Sequence, residues 1–182
     1  MSRLTDIDNY LVVENGQIKE STFKQDIQIQ NQTLTINEDA KVQIIYKVTQ
    51  EGDYRFNITL KERLHVDLIE MYEVSTKCRF TKNIKVNESC EVLRYVEKNS
   101  QENISIDLDE NVDVCANAHI SCAYVELTDY STFSKVKYQL LEEGASVRLR
   151  LASLSKELEH KHYEMTLEHL APHTYGDMDN YG

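Results

Sequence analysis

The sequence lacks the features of several functional classes. Tryptophan is absent, and the 182 residues include one proline and five glycines. No run approaches the roughly 18 apolar residues that a membrane span requires. The formal net charge is -11, so the chain repels phosphate backbones, and no basic stripe with interleaved aromatic residues offsets that charge. These absences exclude a membrane span and argue against nucleic acid as a partner.

Motifs that carry familiar chemistry are also missing. The patterns G-x-x-x-x-G-K-[ST], G-x-G-x-x-G and G-x-S-x-G do not occur, which argues against nucleotide binding and esterase-type chemistry. No C-x-x-C pair joins the four cysteines, so neither a zinc ribbon nor a thioredoxin-type motif is predicted; they are Cys78, Cys90, Cys115 and Cys122. The N-terminus has no apolar stretch typical of a secretory signal. We therefore expect a cytoplasmic protein with reduced thiols.

The composition predicts one soluble domain spanning residues 1–182. Hydrophobic residues make up 41% of the chain and charged residues 28%, and no Gly/Ser-rich or Pro-rich linker marks a boundary. Residues 1–33 are predicted to form an irregular N-terminal cap or a first rung. Short helices could form at residues 21–25 and 153–161, although neither is long enough to be stable alone.

Apolar residues alternate with polar ones along much of the chain, which indicates β-strands. Four segments share an apolar-x-apolar run, an acidic turn, a small or apolar residue and a valine: residues 34–42, 84–92, 106–114 and 138–147. Their spacing indicates a repeat of a little over twenty residues. A strand-turn-strand unit cannot bury its own apolar face, so neighbouring units must stack. The pattern predicts an all-β parallel β-helix; a β-sandwich remains the alternative.

The segment from Glu159 to Gly176 contains four of the six histidines. On a strand, His160, His162 and Glu164 would share the polar face, where two imidazoles and a carboxylate could ligate a metal. The same three residues are equally typical of a solvated outer face. A metal-dependent enzyme that uses them is therefore an alternative function. His169 would lie on the apolar face at the end of the strand.

The segment "HLAPHTYGDMDNYG", residues 169–182, resembles the H-x-A-P-x-T pattern followed by a glycine in the SufB/SufD proteins of iron-sulfur cluster assembly. The runs "LHVDLIEMYEV" and "TKNIKVNESCEVLRYVEKN" are similar to the rungs of that family. The resemblance implies a right-handed parallel β-helix and a SufD-like scaffold or accessory subunit without catalytic activity. It also implies a SufC-like ATPase and a SufB-like subunit as partners.

The resemblance supplies no catalytic, cofactor-binding or metal-binding residue. The family residues linked to cluster assembly, and the helical region that docks the ATPase, have no matching positions in this sequence. We expect no cofactor in the chain itself, and an iron-sulfur cluster only within a complex. An open last rung near Tyr181 predicts self-association or a partner at that end. A further alternative is a structural β-repeat module that binds a peptide or carbohydrate, which the eleven tyrosines suggest.

Overall fold

The computed structural model describes residues 7–100, 103–155 and 159–181, and their regular structure is entirely β. Residues 21–25 form a strand end and a bend rather than the predicted helix. Part of the second predicted helix, residues 156–158, lies outside the described residues. The strands are β1 Asn9–Glu14, β2 Gln17–Thr22, β3 Ile27–Gln30, β4 Thr33–Ile36, β5 Ala40–Val48, β6 Gly52–Leu60, β7 His65–Val74, β8 Cys78–Val86, β9 Glu91–Ser100, β10 Ile106–Val114, β11 His119–Glu126, β12 Thr132–Leu140, β13 Ser146–Ser153, β14 Lys161–His169 and β15 Tyr175–Tyr181.

The strands form two sheets, and from β4 onward the chain alternates between them. One sheet has the order β15-β13-β11-β9-β7-β5-β1-β2 and the other β14-β12-β10-β8-β6-β4-β3. Neighbours from β4 onward are parallel, so each turn of the chain adds one strand to each sheet. The predicted parallel β-helix is confirmed, as a β-solenoid of about 5 turns. The β-sandwich alternative is wrong, because its sheets would be antiparallel.

The repeat is longer than the predicted step of just over twenty residues. Facing residues in neighbouring turns are separated by 26 positions at Asn57 and Asn83, by 27 at His119 and Ser146, and by 29 at Gln139 and Glu168. The extra residues belong to strands of eight to ten residues in the central turns. Each of these turns therefore exposes a long, regular row of outward-facing side chains.

Strand alternation places the core between the two sheets. In β10, every second residue from Ile106 to Val114 is buried. Aromatic side chains stack along the interior: the rings of Tyr46 and Tyr72 are 4.7 Å apart, and Phe80 meets Tyr72 edge-on at 4.9 Å. Burying one such large side chain stabilises the fold by about 1.5–3 kcal/mol. Stacking of like residues from turn to turn thus stabilises the solenoid.

The corners between the even and odd strands repeat a left-handed backbone conformation. One residue in each of five corners has a positive φ angle, close to the left-handed helical region: Arg63, Ser89, Asn117, Gly144 and His173. Main-chain hydrogen bonds join successive corners, as from the Ser89 N–H to the Ala116 carbonyl at 2.9 Å. Cys90 follows the left-handed residue of its corner and is fully buried.

One predicted turn is wrong. Residues 106–114, interpreted as a strand with an acidic turn, form the unbroken strand β10. Glu110, assigned to that turn, is fully buried inside the solenoid. Burial of a charge requires partners, and the sequence near Glu110 does not show them, so the shared pattern alone cannot distinguish a buried acidic residue in a strand from an acidic turn.

The N-terminal end is closed by two antiparallel hairpins. Residues 1–33 are predicted to form an irregular cap or a first rung, and their described part contains the hairpin β1–β2 and the strand β3, which pairs with β4. Strand β2 is exposed along its length and carries Lys19 and Glu20, while β3 has only four residues. Short or charged edge strands are poor templates for further pairing. This end of the solenoid is therefore protected against edge-to-edge association.

Candidate functional site

Two of the three predicted metal-binding residues, His162 and Glu164, lie on the outer face of β14 and contact β12, and His160 immediately precedes β14. The His162 ring stacks on Phe133 with centroids 5.0 Å apart and planes 6° from parallel. The Glu164 carboxylate lies 3.7 Å from Lys135 Nζ, and the His160 main-chain N–H donates to Ser131 Oγ. Among the described residues, no group of three His, Cys, Asp or Glu side chains is arranged to hold a metal ion. The metal site stays a prediction, without support from this geometry.

The H-x-A-P-x-T segment forms a corner between β14 and β15. His169 Nδ1 lies 2.7 Å from Thr174 Oγ1, and that hydroxyl donates to the Ala171 carbonyl at 3.1 Å. After the corner, Gly176 packs so closely on Leu167 that a Cβ would clash. His169 is exposed and bonded within its own corner. These contacts give the motif a structural part in closing the last turn.

A network of four buried charges crosses the solenoid interior, and sequence patterns did not predict it. The side chains of Glu70, Lys82, Arg94 and Glu110 have no solvent exposure. Arg94 donates to both oxygens of Glu110, at 2.7 and 2.6 Å, and its Nε donates to Glu70 Oε1 at 2.7 Å. Lys82 donates to the other Glu70 oxygen. Two cations thus neutralise two carboxylates.

Buried tyrosines complete the hydrogen bonding of this network. Tyr46 donates to Glu70 Oε2 at 2.9 Å, and Arg94 donates to the Tyr124 hydroxyl at 3.0 Å. Burial raises the pKa of Glu70, but Arg94 and Lys82 outweigh it and lower that pKa to about 2. Burial, together with Glu70, raises the pKa of Tyr46 well above its usual value. The carboxylate is therefore ionised and the tyrosine neutral over the physiological range, which is typical of a structural network.

A second buried pair lies nearer the last turn. Lys98 Nζ is 2.5 Å from Glu126 Oε2 and donates to Ser134 Oγ at 2.6 Å. Tyr163 of β14 donates to the same Glu126 carboxylate at 2.7 Å. Burial raises the pKa of Glu126, and the Lys98 ammonium outweighs it and lowers that pKa. The last turn is therefore anchored to the interior by a charged hydrogen bond as well as by apolar packing.

The last turn presents an open face to solvent. In the described part of the chain, β14 and β15 each pair with a neighbour on one side only. Large apolar side chains are exposed around them: Leu170 56%, Tyr175 59%, Met178 48% and Tyr181 60%. We define the open face as the free edges of β14 and β15 with their inward-directed side chains Met165, Leu167 and Met178. Such an edge is a template for strand pairing.

Several of the tyrosines lie in the core rather than on the surface. Four of the eleven are fully buried in the core: Tyr46, Tyr72, Tyr124 and Tyr138. A groove of about 370 Å³ does run along the outer face of the larger sheet, beside Leu93, Tyr95 and Ala123. Leu93 is 62% exposed there. The binding-module alternative therefore has an apolar groove to test.

Comparison with known proteins gives no relative. No family model matches the chain, and neither a curated protein nor a solved structure matches it. The fold therefore defines the class, a two-sheet parallel β-solenoid, and the SufB/SufD resemblance rests on the sequence motif alone.

No helix in the described ranges is long and apolar enough to cross a membrane.

Proposed function

We propose that this protein is a non-catalytic β-solenoid scaffold that binds other proteins through the open face of its last turn. Its proposed setting is iron-sulfur cluster assembly in the cytoplasm, as a SufD-like subunit. The open face is the observation that supports a binding function. The H-x-A-P-x-T motif supports the choice of setting.

The free edge of β14 offers main-chain groups for strand pairing. The Leu170 N–H donates to the Leu140 carbonyl, and the Thr132 N–H donates to the His160 carbonyl, both at 3.0 Å. Even-numbered residues of this segment therefore direct their main-chain groups toward β12. Because strand groups alternate in direction, odd-numbered residues such as Met165 direct theirs away from the sheet.

The same alternation applies to β15. The Tyr175 N–H donates to the Ala145 carbonyl at 3.1 Å, so the odd-numbered residues of β15 face β13. The main-chain groups of Gly176, Met178 and Asn180 face outward. A partner could add one strand beside β14 and another beside β15, and so cover the exposed apolar side chains. This arrangement is β-augmentation.

The two ends of the solenoid differ, and this difference favours binding at the last turn. The N-terminal edges are a polar exposed strand and a four-residue strand. The edges at the last turn have nine residues in β14 and seven in β15, with apolar side chains behind them. The proposed partners at this face are a SufB-like subunit and, through the assembled complex, a SufC-like ATPase. An iron-sulfur cluster would be the product of that complex.

Co-purification with the proposed partners tests this function. Tagged protein is expressed with a SufB-like subunit and a SufC-like ATPase, and recovery of each is measured. Met178→Pro removes one outward N–H without disturbing the pairing with β13, so recovery should fall about tenfold. Met178→Ala removes the side chain but keeps the N–H, and serves as the matched control. Equal recovery with wild type and Met178→Pro would contradict binding through the edge.

The metal-enzyme alternative has a separate test. If the scaffold proposal is right, His162→Ala leaves the metal content of the purified protein unchanged, because that imidazole only stacks on Phe133. Metal content is measured by plasma mass spectrometry in parallel for wild type and variant. Loss of a stoichiometric metal in the variant would favour the enzyme instead.

A further inference from the structure

The groove on the outer face of the larger sheet has the middle of β11 as its floor. The outward residues there, Ser121 and Ala123, are small, whereas those of the two neighbouring strands are large. Neighbouring strands lie about 4.8 Å apart, so the two walls stand roughly 9.6 Å apart across the floor. The wall residues in register with the floor are Leu93 and Tyr95 on β9 and Arg148 and Arg150 on β13.

The wall formed by β9 is apolar. Leu93 is 62% exposed, and the Tyr95 hydroxyl donates to Glu97 Oε2 at 2.9 Å, which holds the ring in place beside the floor. Two charged residues also line the groove, Lys41 and Asp67, and they face each other in register on the far side of Leu93. The apolar wall is therefore fixed in position and has no charged residue between it and the floor.

The opposite wall is basic. Arg148 and Arg150 are both exposed on the outer face of β13. Arg148 lies 3.5 Å from Asp177, and Arg150 faces Asp179 in register. No carboxylate of the described residues forms an ion pair with Arg150. A guanidinium has five N–H donors in a planar fork, so this wall can bind further carboxylates.

The spacing within each wall matches that of an extended peptide. Residues on the same side of a strand repeat every 6.6–6.8 Å or about that distance, and this separation applies to the pair on β9 and to the pair on β13. An extended segment lying along β11 has the same repeat on each of its two sides. Its alternate residues would therefore meet the apolar wall and the basic wall in register.

We propose that the groove binds an extended segment of another protein in which apolar and acidic residues alternate. The apolar side chains pack against Leu93 and Tyr95, and a carboxylate accepts hydrogen bonds from the Arg150 guanidinium. Arginine holds a carboxylate through two parallel hydrogen bonds, which gives the site its preference for aspartate or glutamate. Lysine at the same positions of the segment would place like charges beside the basic wall.

This binding site is additional to the open face of the proposed function. Its strands β9, β11 and β13 each have a neighbour on both sides. A second copy of the chain is a poor occupant, because its own alternating apolar and acidic segment is Ile106–Val114, the internal strand β10. The occupant is therefore a different protein.

Binding of labelled peptides to the full chain tests the inference. The probes are two fluorescein-labelled octapeptides, one alternating leucine with glutamate and one alternating leucine with lysine. Fluorescence anisotropy is measured at about 0.15 M salt, where charges more than about 8 Å away are largely screened. Screening is needed because the net charge of -11 attracts the lysine peptide at long range. The glutamate peptide should bind at least about tenfold more tightly than the lysine peptide.

Substitutions on the outer surface locate the binding. Arg150→Gln should weaken binding of the glutamate peptide about fivefold, and Ala123→Gln, which fills the floor, about tenfold. Arg55→Gln is the matched control, because it removes an exposed guanidinium from the smaller sheet, and it should change the affinity less than about twofold. Melting temperatures confirm that each variant is folded. Equal affinities for the two peptides, or equal losses in Arg150→Gln and Arg55→Gln, would overturn the inference.

The inference and the proposed function fail in different ways. Met178→Pro should leave binding of the glutamate peptide unchanged, because Met178 lies outside the groove. Loss of peptide binding in that variant would place the peptide at the strand edge and overturn the inference. Recovery of the SufB-like subunit with Met178→Pro tests the proposed function alone, whatever the peptide does.

Discussion

At the scale of single residues, the buried charges distinguish this solenoid from one with an apolar core. Arg94 connects two glutamates that are 24 and 16 positions away in the sequence. Burying charges is costly unless every partner is present, and this network supplies all of them. The network therefore fixes which turn lies beside which, because a shifted register would leave a buried charge unpaired.

Removal of Arg94 should strongly destabilise the protein. Arg94→Met leaves the Glu70 and Glu110 carboxylates short of a cation inside the core, and we expect a loss of about 3–5 kcal/mol. Urea denaturation followed by circular dichroism measures the change. Arg94→Lys keeps the positive charge but not the two-pronged contact with Glu110, so its free energy of unfolding should lie between those of wild type and Arg94→Met. A loss below about 1 kcal/mol in Arg94→Met would show that the network is relaxed or hydrated.

The same carboxylate predicts how stability depends on pH. The pKa of Glu70 is about 2 in the folded protein and 4.5 ordinarily, so the unfolded chain takes up the proton first as pH falls. Stability from this group is fully present above about pH 5, and an amount on the order of 3 kcal/mol is lost as pH falls toward 2. Urea midpoints between pH 6 and 3 should therefore decline in wild type and decline less steeply in Glu70→Gln. If the urea midpoints of wild type and Glu70→Gln declined equally with falling pH, the loss of stability in acid would belong to other groups, such as Glu126.

At the scale of elements, the corners determine how the two sheets are joined. Four of the five left-handed corner positions are occupied by residues other than glycine, which tolerate that conformation at a cost of about 1–2 kcal/mol. Gly144 is the exception, with φ of 76°. It lies against Asn117 of the previous corner, where a side chain has no room.

Substitution of this glycine should therefore be costly. Gly144→Ala introduces both left-handed strain and a clash with Asn117 Oδ1, and should destabilise by about 1–3 kcal/mol. Gly52→Ala is the control, because Gly52 has no positive φ and a Cβ added there would lie 3.3 Å from the hydroxyl oxygen at the far end of the Tyr54 side chain. Thermal unfolding compares the two variants. Equal changes in melting temperature would argue against a special requirement at the corner.

At the scale of the whole molecule, the strands at the centre of the described solenoid and those at its last described turn differ in how they are paired. Central strands are paired on both sides, and the interior between them holds the charge network. The last turn is paired on one side, and its inward residues Tyr163, Met165 and Leu167 are only partly buried. Local stability should therefore decrease toward the open face.

Hydrogen exchange measures this gradient directly. Peptides from β15 should exchange their amide protons fastest among the long strands, and peptides from β8 to β11 slowest. Addition of a strand partner should slow exchange in β14 and β15 while leaving β2 unchanged. Uniform exchange along the chain would show that the last turn is as stable as the centre, and would weaken the case for an open binding face.

The sequence by itself determined the alternation of the strands, the stacking of turns and three of the corners, those within residues 34–42, 84–92 and 138–147. Alternation decides which residues face inward, and it correctly separated His162 and Glu164 from the face of Leu167. Alternation could not show that Glu110 is a buried residue of a strand. Its partner Arg94 is 16 positions away, and the two meet only when neighbouring turns stack. The open face was likewise decided by the tertiary structure, because pairing between strands depends on the register of distant segments and not on any local pattern.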